Sequence, residues 1–207
     1  MRRVLIIDDE STQKRNLKEY LKREAGIDEN DILAPACDRT NSNHQPYSAN
    51  EQYARAKKIL SENWETSDII LIDIYLLGLS TTTDENPMVS QRIFEDMLKE
   101  KSEFKNEITS GKKIVIFITG KGSSPRIFKN NINEIAPGYW HEAPKPDRNE
   151  SFRILNRADC KTPWCRDLDL SMDDISTMGC RTYDCLKNLI VKFKKDGSGP
   201  IYDGQQL

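Results

Sequence analysis

The apolar run from Ile69 to Leu77, IILIDIYLL, holds a single acidic residue and constrains the fold more than any other segment. In a helix, Asp73 would be stranded in the middle of an apolar face. In a parallel strand buried on both faces it would lie at the C-terminal end, where open α/β sheets bind their ligands. The run therefore predicts a buried parallel strand with an acidic residue at its functional end.

Short apolar segments alternate with segments of helical periodicity along most of the chain. The predicted strands cover residues 3–7, 32–36, 68–77, 113–119 and 139–143. Amphipathic helices are predicted between them, and a final helix carries Leu186, Leu189, Ile190 and Phe193 at helical spacing. This alternation predicts an α/β fold, with a parallel sheet, helices on both faces and right-handed crossovers.

Polar side chains follow these strands where each one ends. They are Asp8, Asp9, Asp73, Thr119 and Lys145. Because the carboxyl ends of parallel strands meet at one edge, we expect these side chains to converge. Three carboxylates repel one another unless a hard cation such as Mg²⁺ neutralises them. A carboxylate can attack phosphorus, and a metal, a hydroxyl and an ammonium group can then hold the phosphoryl oxygens.

Four segments together resemble the receiver domain of two-component response regulators. They are VLIIDDE (4–10), IILIDIYLLGLS (69–80), IVIFITG (114–120) and KP (145–146). The resemblance implies a doubly wound, five-stranded parallel sheet of the flavodoxin-like type, with strand order 2-1-3-4-5. It also implies one domain over residues 1–195, a cysteine-containing insertion at 147–180 before the last helix, and a tail at 196–207.

The resemblance implies a role for each residue at the strand ends. Asp73 is the expected phospho-acceptor, and Thr119 and Lys145 are the expected catalytic contacts of its phosphoryl group. The expected Mg²⁺ ligands are Asp8, Asp9, Asp73 and the main-chain carbonyl of Tyr75. The chain departs from the family at Leu77, where proline is usual, and at Glu142, where an aromatic residue is common.

The function implied is that of a signalling receiver. The phosphoryl group would come from a sensor histidine kinase or a phosphotransfer protein. The output would pass to an unidentified downstream protein through protein–protein contacts. No catalysis beyond self-phosphorylation and autodephosphorylation is expected.

Two alternatives remain open at this stage. An aspartate-nucleophile phosphatase of the haloacid-dehalogenase type would use Asp8, although DDEST does not match the D-x-D-x-T of that class. A pseudo-receiver would bind partners without phosphorylation. The presence of all five strand-end residues argues against the pseudo-receiver.

Four cysteines form a second constellation late in the chain. Cys160 and Cys165 are spaced C-x4-C, as are Cys180 and Cys185. Four thiolates could hold a structural Zn²⁺, although C-x2-C is the commoner spacing. Disulfides and free thiols are the alternatives, and a reducing cytosol disfavours the disulfides.

Charge and hydropathy limit the partners and the location. The 31 basic and 33 acidic residues give a net charge of −2, which provides no general attraction to nucleic acid or anionic membranes. The N-terminal apolar run from Val4 to Ile7 is too short for a signal-peptide core, and no run approaches the length of a membrane span, so we expect a cytoplasmic protein. We expect no DNA-binding domain, because only about a dozen residues follow the last predicted helix.

Overall fold

The computed structural model describes residues 3–76, 89–119 and 141–144, together with 186, 190, 191 and 193–195. For residues 24, 119 and 141–144 it describes the main chain alone. The strands are β1 (Val4–Ile7), β2 (Ile32–Leu33), β3 (Ile69–Asp73), β4 (Ile114–Thr119) and β5 (His141–Pro144). The helices are α1 (Ser11–Glu24), a 3-10 turn (Glu29–Asp31), α2 (Ala49–Asn63), α3 (Val89–Glu100) and α4 (Ser102–Thr109).

A parallel sheet with helices packed against it confirms the predicted α/β fold class. Four strands follow one another in the order β2-β1-β3-β4, so β1 and β3 are central. The short β5 lies parallel to β4, with Thr119 opposite Pro144 in the register. The strand order reverses between β1 and β3, because β2 lies on one side of β1 and the later strands lie on the other. Such a reversal opens a crevice at the carboxyl ends of the strands.

The central strands are apolar on both faces because both faces are covered. One core cluster contains Leu5, Ile7, Ile70, Ile72, Val115 and Phe117, packed with residues of α2, α3 and α4. The other contains Val4, Ile6, Leu71, Ile116 and Ile118, packed with residues of α1. Leu186, Ile190 and Phe193 are fully buried in that second cluster, as their spacing predicts for a final helix.

One helix was not predicted from the sequence. Helix α4 has only eight residues and is polar except for Phe104 and Ile108, which are both buried. The Phe104 ring meets the ring of Trp64 edge-on at a centroid distance of 5.5 Å, and it also contacts Phe94. Two apolar residues give too weak a periodic signal, so tertiary packing decides that this segment is a helix.

Two predicted strands are longer than the observed ones. Strand β3 ends at Asp73, and the apolar residues Ile74 and Leu76 lie buried in a turn after it. Strand β2 covers Ile32–Leu33 alone. Apolar residues therefore continue beyond the end of β3, because Ile74 and Leu76 are buried without pairing in the sheet.

Several predicted features lie outside the described residues. They include the insertion at 147–180 and the tail at 196–207. Among the helices that the structure describes, none combines the length and the apolar character needed to cross a bilayer.

Candidate acidic site

Strand register brings two acidic segments of the chain together. Ile7 pairs with Ile72 in adjacent parallel strands, so Asp8 and Asp73 follow side by side at the carboxyl edge of the sheet. Asp9 comes next in the chain. The convergence of these three residues confirms what the strand order predicts.

The three carboxylates form a compact and buried cluster. One carboxylate oxygen from each of Asp8, Asp9 and Asp73 lies within 4.8 Å of the others. The exposed fractions are 0%, 2% and 2%. Burying even one carboxylate is unfavourable unless positive charge or hydrogen bonds compensate it, so three carboxylates this close together favour the binding of a cation.

Main-chain amides orient two of these carboxylates. The Glu10 N–H donates to Asp8 Oδ1 at 2.8 Å, and the Tyr75 N–H donates to Asp73 Oδ1 at 3.2 Å. Each bond spans two residues, which is the local pattern that aspartate favours where a strand turns. The turn after each strand therefore fixes the acid that ends it.

The turn after Asp73 is held from two sides. The Ile74 N–H donates to the carbonyl of Ile118 on β4 at 3.0 Å. The Ile74 carbonyl in turn accepts a 2.9 Å hydrogen bond from the buried hydroxyl of Ser90 on α3. Tyr75, whose carbonyl was predicted as a metal ligand, follows directly, and its half-buried side chain packs against the core.

A basic residue that sequence reasoning missed lies at the site. Arg39 Nε donates to Asp9 Oδ2 at 2.6 Å, and Arg39 Nη2 lies 2.8 Å from Glu10 Oε1. Burial opposes the charge of this guanidinium. The hydrogen bond to Asp9 and the negative charges of Asp9, Glu10 and Asp73 outweigh burial and raise the pKa of Arg39. The acidic cluster therefore has a permanent cation in contact with it.

The loop between β2 and α2 delivers Arg39. Two main-chain contacts close this loop. The Tyr47 N–H donates to the Arg39 carbonyl at 2.9 Å, and Thr40 pairs with Pro46 in an isolated β-bridge. The Asn41 side chain accepts hydrogen bonds from two main-chain amides in the same loop. No local motif signals the contact, since Arg39 and Asp9 are separated by 30 residues and meet only after folding.

A polar cavity of about 400 Å³ opens beside the cluster. It is lined by Asp9, Ser11, Asp38, Arg39, Thr40, Asn41, Ser42 and His44. The Arg39 side chain is 36% exposed whereas that of Asp9 is fully buried, so the guanidinium lies between the buried acids and solvent. The cavity therefore borders the acidic cluster at Asp9 and Arg39.

The remaining predicted site residues are described in part or not at all. The main chain of Thr119 ends β4 at the same edge of the sheet, one residue after the partner of Asp73. Lys145 lies outside the described residues, as do Cys160, Cys165, Cys180 and Cys185. Their predicted roles stay predictions.

The donor set fits a hard divalent cation. Carboxylate oxygens are the ligands that Mg²⁺ prefers, and three of them converge here from two rigid strand ends. Among the residues that the structure describes, the ligands of this group are all carboxylates, which favour a hard cation over a softer metal.

No protein-family model, curated protein or solved structure matches this chain. The function must therefore be argued from the acidic site and from the residues that surround it.

Proposed function

We propose that this protein is a phosphorylation-dependent signalling receiver whose phospho-acceptor is Asp73. The observation that carries the proposal is the buried cluster of Asp8, Asp9 and Asp73 at the carboxyl ends of adjacent parallel strands. A carboxylate held beside two others has the position required to accept a phosphoryl group once cations balance the charge.

In the proposed reaction, a carboxylate oxygen of Asp73 attacks the phosphorus of a phosphohistidine. The new O–P bond forms as the P–N bond breaks, and the imidazole nitrogen keeps the electron pair and takes up a proton. The product is an acyl phosphate on Asp73. The other Asp73 oxygen keeps its hydrogen bond from the Tyr75 amide, which fixes the carboxylate for in-line attack.

We propose Asp8, Asp9, Asp73 and the Tyr75 carbonyl as the residues that would hold Mg²⁺. When bound, the cation supplies positive charge against the phosphoryl oxygens. Thr119 and Lys145 are proposed to contact the same oxygens. The main chain of Thr119 ends at the correct edge of the sheet for that role.

We also propose the complete fold and the partners of a receiver. The fold would be a flavodoxin-like, doubly wound sheet of five strands in the order 2-1-3-4-5, and the parallel pairing of β4 with β5 supports it. The phosphoryl donor would be a sensor histidine kinase or a phosphotransfer protein in the cytoplasm. The output would be a contact with a downstream protein.

Phosphoryl labelling tests the proposal directly. The full chain is incubated with acetyl phosphate and Mg²⁺, and intact-mass spectrometry measures the gain of one phosphoryl group. We expect wild type to be labelled and Asp73→Asn to remain unlabelled. Asp38→Asn is the matched control, because Asp38 lines the neighbouring cavity without belonging to the carboxylate cluster.

The site of the adduct separates the candidate functions. Peptide mapping that finds the phosphoryl group on Asp73 supports the receiver, whereas an adduct on Asp8 supports the phosphatase. Absence of label from wild type, with the protein folded and Mg²⁺ present, would leave the pseudo-receiver as the better description.

A further inference from the structure

We propose that Arg39 is a resident cation of the acidic site. Together with one divalent cation it balances the charge of the three buried carboxylates. Its own positive charge lowers the affinity of the site for that divalent cation. The inference rests on the metal site of the proposed function. Arg39 is not one of the strand-end residues that the sequence pattern predicts for the site.

Charge balance gives the first argument. The buried cluster carries three negative charges when its carboxylates are ionised. One divalent cation neutralises two of them, and the guanidinium of Arg39, in contact with Asp9, neutralises the third. With Arg39 present, one divalent cation therefore balances the three buried carboxylates. Glu10, which Arg39 also contacts, is 39% exposed, so solvent screens its charge.

The geometry gives the second argument. Arg39 Nε is 2.6 Å from Asp9 Oδ2, a short and charge-assisted hydrogen bond to a fully buried carboxylate. An incoming cation must share Asp9 with a positive charge that is already there.

The loop that carries Arg39 is built to hold it in place. Gln52 on α2 donates to the Cys37 carbonyl at 2.9 Å, two residues before Arg39. Lys14 Nζ, on α1, donates to the carbonyl of Pro35 at 3.3 Å, earlier in the same loop. On the far side, Arg55 donates to the Tyr47 hydroxyl at 2.9 Å and stacks over its ring. Both ends of the loop are thus fixed to helices.

The sign of one measurement distinguishes this role from a structural one. A resident cation repels a metal ion, so its removal strengthens metal binding. If Arg39 instead served to hold Asp9 in position as a ligand, its removal would weaken metal binding. Calorimetric titration of the full chain with Mg²⁺ gives the affinity and the stoichiometry together.

We expect wild type to bind one Mg²⁺ and Arg39→Gln to bind it about tenfold more tightly. Arg39→Lys keeps the charge and should stay closer to wild type than Arg39→Gln does. Lys58→Gln is the matched control: it also removes one positive charge, but from a side chain on α2 that is 73% exposed, and its affinity should be unchanged.

A second readout needs no metal. In EDTA, Arg39→Gln should melt at a lower temperature than wild type, because three buried carboxylates lose their counter-ion. Saturating Mg²⁺ should then raise its melting temperature by more than it raises that of wild type. Binding of Mg²⁺ by Arg39→Gln but not by wild type would overturn the inference, because Arg39 would then replace the divalent cation and not complement it.

Weaker or unchanged Mg²⁺ binding by Arg39→Gln would overturn the inference, as would failure of both proteins to bind. Loss of the proposed function looks different. In that case wild type binds Mg²⁺ and Arg39→Gln binds it more tightly, yet Asp73 takes no label from acetyl phosphate.

Discussion

The hydroxyl of Ser90, on helix α3, donates a hydrogen bond of 2.9 Å to the main-chain carbonyl of Ile74, the residue that follows Asp73. Ser90 is fully buried, so this hydroxyl has no access to solvent as an alternative partner. The bond joins a helix on one face of the sheet to the turn that begins the acidic site. The geometry after Asp73 therefore depends on the packing of α3.

Replacing Ser90 by alanine tests this dependence. The buried Ile74 carbonyl loses its hydrogen-bond donor, so Ser90→Ala should lower the free energy of unfolding by about 1–3 kcal/mol. Chemical denaturation measures that loss, and calorimetry should show weaker Mg²⁺ binding because the Tyr75 carbonyl follows the disturbed turn. Ser110→Ala is the control, since the Ser110 hydroxyl bonds a carbonyl at an exposed helix end and should change little. Equal effects of the two substitutions would contradict the special role of Ser90.

Charge repulsion within the acidic cluster predicts an unusual effect of Asp8→Asn. The amide oxygen can still accept the hydrogen bond from the Glu10 amide, while one of three clustered charges disappears. In EDTA the variant should be more stable than wild type by about 1 kcal/mol, or roughly 2–4 °C in melting temperature. With saturating Mg²⁺ the order should reverse, because the variant loses a ligand.

Asp28→Asn provides the comparison for that experiment. The Asp28 carboxylate accepts the same kind of hydrogen bond, from the Asn30 amide at 2.9 Å, but at an exposed position. Mg²⁺ should shift the melting temperature of Asp28→Asn by the same amount as it shifts that of wild type. A lower stability of Asp8→Asn than of wild type in EDTA would show that repulsion does not dominate in the cluster.

The Cys37 thiol predicts both a reactivity and a pH dependence. Burial raises its pKa from 9.0 to about 11, although the charges of Lys14 and Arg55 partly offset burial. Since the thiolate is the nucleophile, Cys37 should resist iodoacetamide at pH 8 in the native protein and react after unfolding. Peptide mass spectrometry of native and denatured samples measures this difference.

The same pKa shift fixes the sign of the stability change. The unfolded thiol ionises near 9.0 and the folded thiol near 11, so the contribution of Cys37 is complete below pH 9. As pH rises from 9 toward 11, that contribution should be lost, and Cys37→Ala should show a smaller fall in stability over this range. Equal pH profiles for the two proteins would refute the assignment.

Local sequence patterns determined a large part of this fold. Continuous apolar runs gave the central strands, and the S-x-x-E pattern of Ser48 and Glu51 forms a capping box at the start of α2. The expectation that Asp8, Asp9 and Asp73 converge needed only the rule that parallel strands share a carboxyl edge. These features depend on residues close in sequence or on the topology alone.

Other features were decided only by tertiary structure. Helix α1 begins at Ser11 without a side-chain cap from the preceding Glu10. Helix α4 depends on Phe104 reaching Trp64, and Arg39 reaches Asp9 only because its loop closes across the ends of the strands. The sequence by itself determined which segments are buried and where acids end strands, because those properties are local. The cation beside the acids was decided by loop closure, because a contact between residues that are far apart in the chain has no local signature.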